Sequence, residues 1–259
     1  MIAAALAIDG LGGDARGAFE IASRGKYHGI AFATNHAELM PDKLGQSARR
    51  HLKTILSGKQ LEIDAIRVAG PRGGFGDAGT IDRMMENARK GILLAADLGV
   101  GTVSMNVGNL VDSKVPTETV VAAIRELAQH ADAVGRGKMT LTLGGDVTGV
   151  LGGILKAVDY ERAKVNLDTA RMIGAGEDAL KVAEDLGGMI GELTAADVVR
   201  AGKSVRAVYL GEGQVALPEL MEILEEQGFG GPVVVDVRDL SDGAEGAEHA
   251  AGVLRALMR

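Results

Sequence analysis

The sequence predicts an α/β chain closed as a (β/α)8 TIM barrel. Three observations predict it. Short apolar runs of strand length alternate with amphipathic stretches of helix length along the whole chain, which implies a parallel sheet. Eight such units fit into 259 residues, the size of a closed barrel, with an open doubly wound sheet as the alternative. No Pro-rich or low-complexity stretch interrupts the series, so residues 1–259 read as one domain.

The elements follow in order. Ile2–Ile8 (IAAALAI) is a buried strand that ends at Asp9 and the Gly-rich loop Gly10–Gly13. Asp14 caps a helix reaching Arg24, with Ala15, Ala18, Phe19 and Ala22 on one face. Gly29–Ala33 is the second strand, with Thr34, Asn35 and His36 past its end. Pro41-Asp42 opens a helix to about Leu56. Leu61–Val68 (LEIDAIRV) alternates and is the third strand, and Thr80 caps a long helix to Leu98. Thr102–Val107 is the fourth strand, and Thr117 caps the helix after it. Lys138–Leu143 is the fifth strand, running into Gly144-Gly145-Asp146, with a short helix over Val150–Ala157. Val165–Leu167 is the sixth strand, with a helix over Glu177–Leu186. Gly188–Leu193 is the seventh strand, ending near Glu192 and Thr194, and a longer segment with Val205–Leu210 follows. Pro218–Gln227 is a helix, Pro232–Val237 the eighth strand, and Ala244–Leu257 the closing helix.

Composition excludes several functions. Aromatic residues make up 3% of the chain and Trp is absent, so stacking platforms for bases are disfavoured. A net charge of -7 without a basic run argues against nucleic acid as a partner. The absence of Cys removes disulfides, thiolate metal sites and a Cys nucleophile, and it suits a cytoplasmic location. Met1–Ile8 is apolar but lacks a positive flank, so it is a poor signal peptide. No apolar run approaches the ~20 residues of a membrane span.

In a parallel barrel, chemistry gathers where the C-terminal strand ends converge. Asp168 ends the sixth strand, Glu192 lies near the end of the seventh, and Asp236 sits inside the apolar run PVVVDV. An acid in such a run is costly unless it is paired or liganding, so Asp236 either serves the site or pairs with Arg171 or Arg238. His36 past the second strand offers a base or a donor, and Asn106 at the fourth offers a hydroxyl contact; a surface His and a turn Asn are the plainer readings. The stretch Gly174-Ala-Gly-Glu-Asp-Ala mimics a dinucleotide fingerprint but lies too far past its strand for the tight turn that motif needs.

Five stretches in order then carry a resemblance: YHGIAF, LEIDAIRV, LGVGTVSMNVG, VNLDTARMIGAGED and LGEGQVALPELMEILEEQGFGGPVVVDV. Together they resemble the xylose isomerase-like TIM barrels, the sugar phosphate isomerase/epimerase superfamily. The resemblance implies a divalent metal in the barrel mouth, and acids that move a proton between adjacent carbons of a sugar or keto-polyol. It also implies a metal ligand at the end of the fifth strand, where Gly144 stands, and a His where Arg171 stands. The seventh strand lacks the family's His, and Asp236 replaces a Glu. The resemblance also places Glu212 in the family's Leu-Gly-Glu-Gly turn and implies that it orients a neighbour in the mouth. Two readings of the cofactor stay open. Asp168, Asp236 and Glu192 could hold Mg²⁺ or Mn²⁺ with waters. Alternatively no metal binds, and the Arg171 guanidinium takes its place by pairing with Asp168 or by binding a phosphate or carboxylate.

Two functions are expected. The first is a sugar or sugar phosphate isomerase/epimerase, with Asp168, Asp236 and Glu192 catalytic and His36, Asn106, Arg171, Glu212 and Arg238 binding substrate. The second is a barrel that has lost turnover and binds a small metabolite or a protein partner. A Schiff-base aldolase is weaker, because no strand ends in Lys. Exposed Met and Ala on the outer helices are compatible with a homo-oligomer.

Overall fold

The computed structural model describes residues 4–145 and 148–257. Eight parallel strands close into a barrel: β1 (Ala4–Ala7), β2 (Gly29–Ala33), β3 (Glu62–Val68), β4 (Thr102–Asn106), β5 (Thr140–Gly144), β6 (Ala163–Asp168), β7 (Ile190–Ala195) and, last in the chain, β10 (Val233–Val235). Each strand neighbours the next around the ring, and β10 closes it between β7 and β1. The remaining two, β8 (Asp197–Ala201) and β9 (Ser204–Val208), form an antiparallel hairpin directly after β7. Nine α-helices surround the barrel among the described residues: α1 (Ala15–Arg24), α2 (Gln46–Gly58), α3 (Ile81–Leu98), α4 (Thr117–Gly135), α5 (Thr148–Val158), α6 (Thr169–Ala175), α7 (Ala179–Leu186), α8 (Leu217–Glu226) and α9 (Gly243–Leu257). None of them is long and apolar enough to cross a membrane.

Period-2 alternation divides each strand between two environments. Outward side chains such as Leu6, Ile30, Ile66, Val103, Leu141, Val165, Leu193 and Val235 meet the apolar stripes of the helices in one continuous core. Inward side chains fill the lumen unevenly. On the β1–β3 and β10 side the filling is Ala5, Ala7, Ala31, Ala65 and Val234. On the β4–β7 side it is polar and equally buried: Ser104, Thr142, Asn166, Glu192 and Thr194.

Several boundaries differ from those read in the sequence. Ile2 and Ala3 lie outside the described residues, and β1 gives way at Ile8 to a single 3-10 turn. Gly10 in that turn is required by a close approach, since a Cβ there would sit 2.5 Å from the Arg238 backbone just past β10. Helix α2 begins at Gln46 rather than Pro41, because residues 41–45 are taken up by turns and the extended Gly45. Strand β7 runs two residues past Leu193, so Glu192 lies inside the barrel and not at the strand's end. Helix α6, unforeseen, starts immediately after β6 with Asp168 as its N-cap, and Gly176 ends it in a left-handed conformation. The closing strand is short, so Asp236 lies just past it, its N–H still donating to the Ala195 carbonyl at 3.0 Å.

Candidate active site at the barrel mouth

A cavity of about 460 Å³ opens at the C-terminal ends of the strands, within the range of small-molecule sites. Arg67, Ser104, Asn166, Asp168, Thr194, Asp236 and Arg238 line it, and the β8–β9 hairpin forms part of its wall. The carboxyls of Asp168 and Asp236, 68 residues apart in the chain, therefore face one space.

Asp236 is held by two guanidiniums. Its Oδ2 lies 2.8 Å from Arg67 Nη1 and 2.5 Å from Arg238 Nη2. Arg238 Nε donates to both oxygens at 2.9 and 3.0 Å, and the Arg238 amide donates to Oδ1 at 3.1 Å. Burial opposes its charge, but Arg67 and then Arg238 outweigh that and hold the carboxyl well below the usual carboxylate range. Asp168 behaves oppositely. It accepts the Arg171 amide at 3.1 Å, and Arg171 Nε stands 3.3 Å from its other oxygen. Burial nevertheless lifts it above the usual range, with Arg171 and Arg67 offsetting and Asp236 adding to the rise.

Glu192 lies below the cavity floor and is fully buried. Thr142 Oγ1 donates to its Oε2 at 2.5 Å, and Oε1 has no hydrogen-bond partner among the described residues. Burial raises its pKa, offset by Thr142, Arg67 and Ser104. Beside it Thr194 Oγ1 donates to Asn166 Oδ1, and Asn166 Nδ2 donates to Ser104 Oγ, both at 3.0 Å.

The other expected residues are placed unequally. Arg171 and Arg238 stand at the rim, each side chain 44% exposed. Asn106 lines the cavity while its Oδ1 accepts the Gly108 amide at 2.7 Å, so it also makes the turn. His36 is half-buried in the loop after β2, accepts the Glu38 amide at Nδ1, and does not line the cavity. Glu212 is exposed on its turn and also stands apart from the cavity. That turn is held by Asp197, which accepts the amides of Gly211, Gly213 and Val215 at 2.9–3.2 Å.

Arg67 is the residue that sequence reasoning missed. It shares a face of β3 with Ala65, a lumen residue, and that phase was the available signal. The guanidinium expected beside the acids in place of a metal was that of Arg171. The buried one at Asp236 comes instead from β3, across the mouth.

These donors do not fit a divalent ion. Both Asp236 oxygens and one Asp168 oxygen are taken by guanidiniums. Gly144 ends β5 with no donor, and a Cβ there would meet only Asn166 atoms at 3.8 and 3.9 Å. Asp146, next along, lies outside the described residues. Among the described residues, the one His/acid grouping whose ligand atoms approach within 4.8 Å is His28, Glu62 and Asp64. It lies at the other end of the barrel, where β2 and β3 start.

Solved structures of the same fold span nearly the whole chain. A xylose isomerase domain protein from Planctomyces limnophilus is 19% identical with a TM-score of 0.82, covering 99% of this chain and 95% of that one. A xylose isomerase-like TIM barrel protein from Mycobacterium smegmatis, in complex with magnesium, is 17% identical with a TM-score of 0.72, covering 94% and 89%. D-psicose 3-epimerase from Clostridium cellulolyticum H10, with D-tagatose, is 16% identical with a TM-score of 0.76, covering 100% of both chains. No curated protein matches the chain in sequence. The sequence pattern of the xylose isomerase-like TIM barrel family matches residues 19–257, and the chain belongs to that family.

Proposed function

We propose that the barrel mouth binds a small sugar, sugar phosphate or keto-polyol and moves a proton between its carbons, as an isomerase or epimerase does. The observation that carries this reading is the opposed tuning of two carboxyls in one cavity: Asp168 is pushed up by burial, and Asp236 is held down by arginines. Groups pushed apart in this way divide acid–base labour. Asp168 takes a proton from the carbon beside a carbonyl and delivers it to the former carbonyl carbon. Asp236 stays ionised and fixes the arginines. Arg171 and Arg238, at the rim, suit a substrate phosphate or carboxylate. The sugar in one structural neighbour and the magnesium in another suggest the substrate class and a cofactor, but the donors described here give a magnesium or manganese ion no place in the mouth.

The second reading, a barrel that binds a metabolite without turnover, has its own support. Asp236 is fully committed to two guanidiniums, which leaves only Asp168 of that pair disposed to move a proton. One experiment separates the two. The protein is incubated in D₂O with three- to six-carbon ketoses, aldoses and their phosphates, and deuterium uptake at carbon is followed by NMR. Uptake that Asp168→Asn lowers by about 10²–10⁴-fold establishes proton transfer. A rise in Tm with the same compounds and no uptake establishes the binding barrel.

A further inference from the structure

Arg67 is unusually placed for a charged residue. It projects from β3 into the mouth, and its side chain is only 14% exposed. Its charge acts most strongly on Asp236 and also reaches Glu192 and Asp168. Although Nη1 lies 2.8 Å from Asp236 Oδ2, none of its N–H bonds finds an acceptor in line among the described residues, and the atom is buried. A buried guanidinium donor without an aligned acceptor is costly. Arg67 itself lines the cavity next to Asp168 and Asp236, so a ligand oxygen in that space lies against its side chain.

We propose that Arg67 is a catalytic residue which receives the substrate's carbonyl oxygen, and that this guanidinium is the resident cation of the mouth, so proton transfer needs no divalent ion there. The proposal rests on the proton-transfer reading above. When Asp168 removes the proton from carbon, the electron pair of the C–H bond forms the C=C bond of an enediol(ate), and the carbonyl π pair moves onto oxygen. The negative charge thus grows on the oxygen that Arg67 faces. Reprotonation by the same carboxyl at the former carbonyl carbon, with the hydroxyl proton of the enediol(ate) passing to the former carbonyl oxygen, shifts the carbonyl by one carbon, so no oxidant or second reactant is consumed. A fixed guanidinium aimed at that oxygen is a preorganised electrostatic stabiliser. It holds Asp236 in the same stroke, which explains why that acid is tied up and unavailable as a ligand.

Four measurements test this. The first is deuterium uptake in protein stripped of metal with EDTA. The expected rate lies within twofold of untreated protein, and loss that added Mg²⁺ or Mn²⁺ restores would overturn the proposal. The second is the set of variants Arg67→Met and Arg67→Lys. Arg67→Met is expected to lose about 10²–10³-fold in exchange, and Arg67→Lys, which keeps the charge, to recover part of it. Equal rates in all three proteins would overturn it. The third needs no turnover: calorimetry with oxalate, a planar dianion shaped like an enediolate. Wild type is expected to bind it, and Arg67→Met to bind at least about tenfold more weakly. Unchanged oxalate affinity overturns the role of Arg67 even if exchange fails on every sugar, so its failure is distinct from failure of the proton-transfer reading. In the fourth, Mn²⁺ binding that Asp168→Asn or Asp236→Asn removes would also overturn it. Mn²⁺ binding that His28→Ala removes would instead place the ion at the far end of the barrel and leave the proposal standing.

Discussion

Asp236 and Glu192 face the same lumen, yet the protein treats them in opposite ways. Asp236 sits at the mouth with two guanidiniums and a backbone amide on its oxygens. Glu192 lies level with Asn166, two residues nearer the strand starts than Asp168, with one hydroxyl on one oxygen and, among the described residues, no hydrogen bond within range on the other. The first is an anion despite burial, and the second is driven toward its protonated form by burial. Burial acts on both in the same direction. What differs is whether a cation lies within contact, and β3 places Arg67 against Asp236 and only within longer electrostatic reach of Glu192. The charge of a barrel carboxyl is therefore set by its neighbours on the facing strands and not by its depth.

The comparison breaks most visibly if Asp236 is neutralised. Asp236→Asn keeps the shape but leaves Arg67 and Arg238 facing each other without their shared anion. A loss of about 3–5 kcal/mol is expected from stranding a buried charge, read as a fall in the urea midpoint at pH 7. Arg238 is partly exposed, which favours the lower end. A loss under about 1 kcal/mol would mean that solvent screens the mouth and that the two carboxyls are more alike than the geometry says. Thr142→Val sharpens the other side. It conserves volume while removing the hydroxyl that donates to Glu192, and about 1 kcal/mol is expected. A much larger loss would show that Glu192 is a true anion that depends on this donor.

Much of the fold was legible because period-2 and helical patterns are written in residue type, and eight repeats of them leave few architectures. Asp168 and Asp236 were legible for a related reason: an acid directly after an apolar β run has few places to go. Glu192 was placed at a strand end because the apolar run stops at Leu193. Thr194 and Ala195 prolong β7 by pairing with Asp168, Val234 and Val235, and such pairing is not visible from one strand. Arg67 was passed over because a polar residue in an alternating strand reads the same whether its face meets water or the lumen. Only its phase with Ala65 tells them apart, and that requires knowing which face is inside. Helix α6 and the β8–β9 hairpin are too short, seven and five residues per element, for periodicity to register.

The smallest expected effect is also the most discriminating. If Glu192 carries a proton at neutral pH, Glu192→Gln replaces a carboxylic acid by its isostere, and stability at pH 7 should change by less than about 1 kcal/mol. The sign with pH is the informative part. A carboxyl whose folded pKa lies above its unfolded value favours the folded state fully at pH below the ordinary glutamate range. That contribution declines as pH rises from the ordinary value through the raised one. Wild type should therefore lose stability toward alkaline pH relative to Glu192→Gln, and the difference between their urea curves from pH 4 to pH 9 should widen steadily and then level off. Asp168, raised for the same reason, contributes a slope of the same sign in both proteins and cancels in that difference apart from its charge coupling to Glu192. Were the gap instead to open on the acid side, Glu192 would be an ionised group stabilised as an anion. It would then resemble Asp236, and the contrast between the mouth and the lumen would disappear.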